Sequence, residues 1–326
     1  MTVLKEVRGD TVQVLTTDPT DLVEGQVWYN STSQAFKATV YGSTGAWSSG
    51  GNLGTARGGL GGAGTQTAGL AFGGNLPGSS NATEEYNGTS WVSGGNMGTA
   101  RFSLSGAGIQ TAGLAFGGIS GYTYFTATEE YDGTSWAAGG ALSTGRYGLG
   151  GAGTQTAGLG FGGYEDGDEI TNSTEEYDGS AWTAGGNLGT ARFFPAGAGT
   201  QTAGLGFGGY TATTITGATE EYDGSTWSAG GSLGTARYTS GGAGTQTAGL
   251  GFGGYTPTTV TGATEEYNGT SWAAGGALST ARYGLGGAGT QTAGLAFGGS
   301  TYPGKSSSTE EYTSDVGLVK KTITMS

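Results

Sequence analysis

An arginine recurs six times at a nearly constant interval, at Arg57, Arg101, Arg146, Arg192, Arg237 and Arg282, with spacings of 44, 45, 46, 45 and 45 residues. Each is followed by Gln-Thr-Ala-Gly-Leu, then Phe-Gly-Gly, then Glu-Glu-Tyr. Five times a tryptophan closes the unit, at Trp91, Trp136, Trp182, Trp227 and Trp272, and a sixth in the same context, Trp47, precedes the first arginine. A fixed period of this length marks a repeat architecture, in which each unit buries its apolar face against its neighbours.

Composition sharpens this reading. Of 326 residues 74 are Gly and 5 are Pro, a content that would suggest disorder if it had no period. Here the period fixes Leu, Phe, Tyr and Trp at set positions, which a flexible linker does not need. The chain has no Cys and no His, which excludes disulfides, thiolate metal sites and Ser-His-Asp or Cys-His catalysis. No cofactor is implied. A net charge of −13 disfavours bare nucleic acid and anionic membranes as partners. Twelve of the 25 acidic residues belong to the six Glu-Glu pairs, so the acidity is largely periodic. No apolar run approaches membrane-spanning length. Met1 leads into Thr-Val-Leu-Lys-Glu-Val, without the basic and apolar regions of a signal peptide, which predicts synthesis in a cytoplasm.

The third unit serves to read one repeat. Arg146-Tyr-Gly-Leu-Gly-Gly-Ala-Gly reads as a short innermost strand. Thr156 to Gly163 reads as a second, with Leu159 and Phe161 on one face by the period of two. Ser173-Thr-Glu-Glu-Tyr reads as a third strand and Ser180-Ala-Trp182 as a fourth. Between these two, Asp178-Gly179 suggests a two-residue type I′ turn with positive φ at both positions. The signal recurs at Asn87-Gly88, Asp132-Gly133, Asp223-Gly224 and Asn268-Gly269, and no segment has helical periodicity. Four short strands per unit is the arithmetic of a β-propeller blade.

The double glycines (Gly73-Gly74 to Gly298-Gly299), the Tyr-Asp/Asn steps (Tyr86-Asn87, Tyr131-Asp132, Tyr177-Asp178), the tryptophan beyond them and the later arginine resemble the kelch repeat over roughly residues 41–313. The resemblance implies a propeller and leaves function open, because kelch propellers serve as enzymes and as binding platforms. The copper oxidases of this fold use Tyr, His and a Tyr-Cys crosslink, and that chemistry does not carry over to a chain without His or Cys.

Two ring closures fit the strand count. The last unit, Arg282 to Tyr312, lacks a Trp-type outer strand, and the segment ending at Trp47 can supply it, giving six blades closed by N-terminal strand exchange with no open sheet edge. In the alternative a seventh, irregular blade combines residues 3–15, the pair around Trp28 and Phe36, and 317–324.

Within the constant frame, adjacent carboxylates of a strand point to opposite faces, so a Glu-Glu pair does not chelate one ion. One glutamate per repeat against one arginine per repeat suggests a structural ion pair instead, which would give Arg57, Arg101, Arg146, Arg192, Arg237 and Arg282 and the six tryptophans a scaffold role. Sequons at Asn30, Asn81, Asn87, Asn172 and Asn268 include two Asn-Gly turns, and the Gly-rich runs lack a phosphate loop's Gly-Lys-Ser/Thr ending. The acidic stretch Glu165-Asp166-Gly-Asp168-Glu169 reads either as a solvated loop or as a calcium ligand set.

The repeats disagree in two zones. One lies between Gly-Gly and Glu-Glu-Tyr, the other just after each arginine, at Gly58, Phe102, Tyr147, Phe193-Phe194, Tyr238 and Tyr283. In a four-stranded blade both zones emerge on one face. Tyr122, Tyr124, Phe125, Tyr164, Tyr210, Tyr255 and Tyr302 are the candidate contacts of a recognition surface there, with unconstrained drift as the competing explanation.

Residues 1–40 do not follow the repeat. Gly-Gln-Val-Trp-Tyr-Asn-Ser from Gly25, with Ala35-Phe-Lys-Ala-Thr-Val as its partner strand, resembles N-terminal modules of tailed-phage fibre and appendage proteins. The Gly-Thr-Gln-Thr-Ala-Gly-Leu arrays are similar to proteins of phages of marine bacteria. The C-terminal segment, 314–326, reads as one more strand pairing near the N-terminus. These resemblances imply a non-enzymatic virion protein, anchored to other virion proteins through residues 1–40, alone or as a homo-oligomer, with a host-surface glycan or protein on the loop face. A decoration protein without a receptor is the first alternative. The second is a glycan-degrading enzyme using Glu165, Asp166, Asp168 and Glu169.

Overall fold

A computed structural model describes residues 12–20, 26–43, 45–167, 169–314 and 316–323. Among them there is no helix, and the chain is all-β and propeller-like. It divides into two compact units, Ala46–Thr313 and a smaller one from Met1–Gly45 with Ser314–Ser326.

The larger unit contains six four-stranded antiparallel sheets. In the third repeat Gly150–Thr154 is innermost, followed outward by Ala157–Phe161, Thr174–Tyr177 and Trp182–Ala184. The inner strand therefore begins after Arg146 rather than at it. Arg146 and Tyr147 belong to the connection that precedes it and pair with Tyr164 and Glu165. The sheet of the last repeat takes its outer strand from the start of the unit: Ala46–Ser49 pairs with Thr309–Thr313, with Trp47 opposite Tyr312.

Glycine sets how closely the inner strands approach. A Cβ on Gly197 would lie 2.3 Å from the carbonyl oxygen of Gly151, and one on Gly106 would lie 2.7 Å from that of Gly62. Any side chain at these positions would push neighbouring repeats apart. At one end of these inner strands six residues donate backbone hydrogen bonds in a cycle. Ser103 donates to Gly59, Gly148 to Ser103, Phe194 to Gly148, Thr239 to Phe194, Gly284 to Thr239, and Gly59 back to Gly284, at 2.7–3.3 Å. All six have positive φ, including the non-glycine residues Ser103, Phe194 and Thr239 at 52°, 51° and 53°.

The apolar core lies between sheets rather than at one centre. Leu70 and Phe72 of the first repeat are fully buried with Leu104, Ala115 and Tyr131 of the second, and Trp136 covers them. Each such Leu or Phe contributes about 1.5–3 kcal/mol. The same cluster occurs between the last and first repeats, where Leu295 and Phe297 pack with Ala71 and Tyr86 under Trp91. Polar contacts repeat this pattern. Gln66 Nε2 donates to the Gly294 and Tyr312 carbonyls, as Gln110 Nε2 does to those of Gly69 and Tyr86. Trp91 Nε1 donates to Thr309 Oγ1 at 2.8 Å, and Trp47 Nε1 to Thr264 Oγ1 at 2.9 Å.

The expected type I′ turns take another form. Asp178 N–H donates to the Ala181 carbonyl, while the N–H groups of Ser180 and Ala181 both donate to the Asp178 carboxylate. Only Gly179 of the pair has positive φ. The side chain captures the donors that a type I′ turn would leave to the backbone.

In the smaller unit Gln13–Leu15, Val27–Asn30, Ala35–Ser43 and Val316–Ile323 form one four-stranded sheet in that order. These are the strands of the seventh-blade alternative, but the first pair is parallel, unlike the antiparallel repeats. The rest of the 3–15 strand lies outside the described residues. Trp28 is fully buried, and its Nε1 donates to Asp18 at 3.1 Å. The Lys37 ammonium, and after it Asn30, hold Asp18 down at about 2.

Candidate functional site

The two variable zones meet. Backbone bridges join the residue after each arginine to the residue after each double glycine: Gly58 to Asn75, Phe102 to Ile119, Phe193 to Tyr210, Tyr238 to Tyr255 and Tyr283 to Ser300. Tyr147 pairs with Tyr164 in the same way. Both zones therefore crowd one end of the sheets. The Gln-Thr turns and the Asx turns lie at the other end, where the chain joins the unit at Ala46 and leaves it at Thr313.

Beneath this face the arginines hold the loop stems. Arg57 Nη1 donates to the Gly73 and Ala82 carbonyls, at 3.0 and 2.7 Å, and these two residues bracket the variable loop. Nη2 binds Glu84 Oε1 at 2.9 Å, and Glu84 Oε2 accepts the Gly54 N–H at 2.6 Å. The arrangement recurs with Arg101–Glu129, Arg146–Glu175, Arg192–Glu220, Arg237–Glu265 and Arg282–Glu310. All six arginines are buried, and desolvation lowers their affinity for the proton, to about 10 for Arg101 and Arg192. An arginine remains charged there at neutral pH, so the clamp persists whatever sequence the loop carries. The second glutamate faces the other way: Glu85, Glu130, Glu176, Glu221, Glu266 and Glu311 each accept the phenol of a neighbouring repeat's tyrosine.

Above the clamps the aromatic side chains form one contiguous set. Tyr124 stacks on Tyr147 with centroids 5.2 Å apart and planes at 8°. Tyr147 meets Tyr164 at 5.7 Å and Phe193 at 5.0 Å. Phe193 touches Phe194, and Phe194 leads to Tyr238 at 6.4 Å. Tyr238 contacts Tyr210 and Tyr255, and Tyr255 leads through Tyr283 to Tyr302. The arc spans the second to sixth repeats and is open where the first contributes Gly58 and Asn75. Burial, then the neighbouring Tyr255, Tyr283, Tyr302 and Tyr210, raise the pKa of Tyr238.

Five of the seven sequence candidates, Tyr124, Tyr164, Tyr210, Tyr255 and Tyr302, join this arc. Tyr122 is fully exposed at the tip of the hairpin Ile119–Ser120/Thr123–Tyr124, outside the stacked set. Phe125 is half-buried and binds through its backbone N–H to Gly118. Tyr147, Phe193, Phe194, Tyr238 and Tyr283, which the sequence marks as variable and not as contacts, link the others. Phe194 also holds left-handed backbone at φ 51°, at the rim of an axial cavity of about 130 Å³. Strain of this kind in a non-glycine residue persists where the surroundings over-determine it.

The acidic loop forms a hairpin with Glu165 opposite Glu169. Asp168 lies outside the described residues. Among the described residues no group of three or more His, Cys, Asp or Glu side chains is placed to hold a metal ion. The sequon asparagines have local partners: Asn30 Nδ2 binds Asp18, Asn81 binds the Met97 carbonyl, Asn172 binds that of Leu188, and Asn87 and Asn268 cap Asx turns.

Sheets of this kind, with their core between neighbours, define a β-propeller-like protein. A solved structure, that of YjhT, is similar to this chain with a TM-score of 0.70 at 14% identity, covering 84% of this chain and 100% of its own. At that identity the likeness concerns the fold alone. No protein-family model and no curated protein sequence matches the chain.

Proposed function

We propose that Ala46–Thr313 is a six-bladed kelch-like β-propeller whose ring is closed by the strand Ala46–Ser49. It acts as a non-enzymatic recognition platform of a virion, of the tail-fibre or appendage type, anchored through its N-terminal segment and presenting the loop face to a host-surface glycan or protein. Six blades are supported by the cycle of backbone hydrogen bonds through Gly59, Ser103, Gly148, Phe194, Thr239 and Gly284. The virion assignment is supported by the resemblance of residues 1–40 and the Gly-rich arrays to phage appendage proteins.

One observation carries the recognition reading: the contiguous aromatic arc stands on the face where the repeats differ, above clamps that hold the loop stems in every repeat. Tyr and Phe offer large contact areas with few rotatable bonds, and their grouping above a constant frame is what a recognition surface requires.

The test has two parts. Mass spectrometry of purified virions should find this chain. Virions carrying serine at Tyr122, Tyr124, Tyr164, Tyr210 and Tyr255 should adsorb to host cells more slowly, and unchanged adsorption would favour the decoration role.

A further inference from the structure

The loop face is electrically lopsided. Lys305 is the only lysine between residues 46 and 313, and the six arginines of that span are all paired with glutamate. The loops around Lys305, residues 75–82 and 299–308, contain no carboxylate, whereas the third repeat's loop carries Glu165, Asp166 and Glu169. Lys305 Nζ donates to Ser300 Oγ at 3.1 Å, which leaves further ammonium donors unused.

Lys305 lines a cleft of about 500 Å³ between the loops of the last and first repeats, walled also by Tyr283, Tyr302, Leu76 and Pro77. Tyr302, 75% exposed, also walls a second cleft of about 440 Å³, lined by Tyr255, Thr258 and Thr259. The second cleft has no charged side chain in its lining.

We propose that the two clefts are consecutive subsites for a polysaccharide with sparse carboxylates. A uronate residue sits beside Lys305, a neutral sugar lies against Tyr255, and Tyr302 stands between them. This rests on the recognition reading above and names its ligand. Aromatic rings take the C–H faces of sugars, while Ser and Thr hydroxyls and the ammonium take the polar edges. The chain's net charge of −13 repels a densely anionic polymer, so an isolated carboxylate suits the site better than a sulfated chain. A site that hydrogen-bonds a charged group rejects analogues that lack it, because its own donor is then left unpaired.

Calorimetry on the full chain would compare three probes: an oligosaccharide alternating glucuronate with N-acetylglucosamine, its carboxyl-reduced form, and a sulfated glucan. We expect the first to bind best, with Lys305→Gln weakening it about tenfold, as expected for losing a charge-assisted hydrogen bond. Lys305→Arg should retain binding, Tyr302→Ala should weaken both the acidic and the reduced sugar, and neither probe's binding should depend on Tyr122. Lys305 is exposed, so its variants should unfold at the wild-type temperature. Equal binding of the sulfated glucan, an unaffected Lys305→Gln, or no binding of any probe would each overturn the proposal. If the tyrosine-to-serine virions lose adsorption while no probe binds, the recognition reading stands and this inference alone falls.

Discussion

The phenol of Tyr86 donates to Glu311 Oε1 at 2.6 Å, across 225 positions of sequence. The same bond links every other neighbouring pair of repeats, as in Tyr177 to Glu130 at 2.6 Å and Tyr267 to Glu221 at 2.6 Å. Tyr86 thus ties the first repeat to the last with the contact used throughout the array. Tyr86→Phe should cost about 1.5–3 kcal/mol, the usual value for a hydrogen bond to a charged group, because Glu311 stays behind without its donor. Tyr177→Phe should cost the same. Urea unfolding of both variants checks this, and a neutral Tyr86→Phe beside a costly Tyr177→Phe would mean that the first and last repeats are not joined in solution.

The arginine clamps make a second, larger prediction. Arg146 is buried and binds Glu175 at 2.6 Å together with the Gly162 and Ser173 carbonyls at the stems of the acidic loop. Arg146→Met removes the partner of a buried carboxylate and should destabilise by about 3–5 kcal/mol. Adding Glu175→Met should restore part of that loss, since the uncompensated charge is gone. A double-mutant cycle by denaturant unfolding reads the difference, and strictly additive losses would contradict the clamp.

The sequence made some of this arrangement legible and hid the rest for physical reasons. The period and the alternation of Leu159 and Phe161 disclose β-sheet repeats. The opposed directions of adjacent strand residues disclose that the two glutamates of each pair must do different things. The partner of the second glutamate was not legible, because a tyrosine in the neighbouring repeat reaches it through packing between sheets and not through any spacing along the chain. The start of the inner strand was also hidden: Gly150-Gly-Ala-Gly has almost no side chains with which to mark a register, and Arg146 fell one connection outside it. At the site, the loop tyrosines were visible as departures from the repeat. Tyr147, Tyr238 and Tyr283 stand beside the invariant arginine, and only the pairing of the two variable zones shows that they bridge the others.

Alkaline pH should probe the tyrosine–glutamate bonds directly. Burial, and then the glutamate each one binds, push Tyr86, Tyr131, Tyr177, Tyr222 and Tyr267 up to about 12. In the unfolded chain these phenols lose their protons near 10. The native state therefore holds more protons than the unfolded state between about 10 and 12, and stability should fall as pH rises through that window. It is fully present below 10. The buried arginines, whose proton affinity desolvation lowers, act in the opposite direction over the same window. The phenol contribution is therefore read as a difference: urea midpoints measured from pH 8 to 12 should fall less, or rise more, in Tyr177→Phe than in the wild type. Parallel profiles would remove the phenols from the account.

The inner glycines give the most local prediction. A Cβ on Gly197 would sit 2.3 Å from Gly151 O and 2.9 Å from Gly151 N, and neither backbone atom can rotate away as a side chain would. Gly197→Ala should therefore force adjacent inner strands apart and cost about 1–3 kcal/mol, in the range of overpacked cores. Gly78, on the variable face, has nothing within 4 Å of its would-be Cβ. Gly78→Ala should leave stability unchanged or raise it by about 0.4–1 kcal/mol through a less flexible unfolded chain. Thermal unfolding of the two variants compares an inner position with a loop position by the same added methyl group. Equal effects would mean that the inner strands are not held at backbone contact, and that the high glycine content needs another cause.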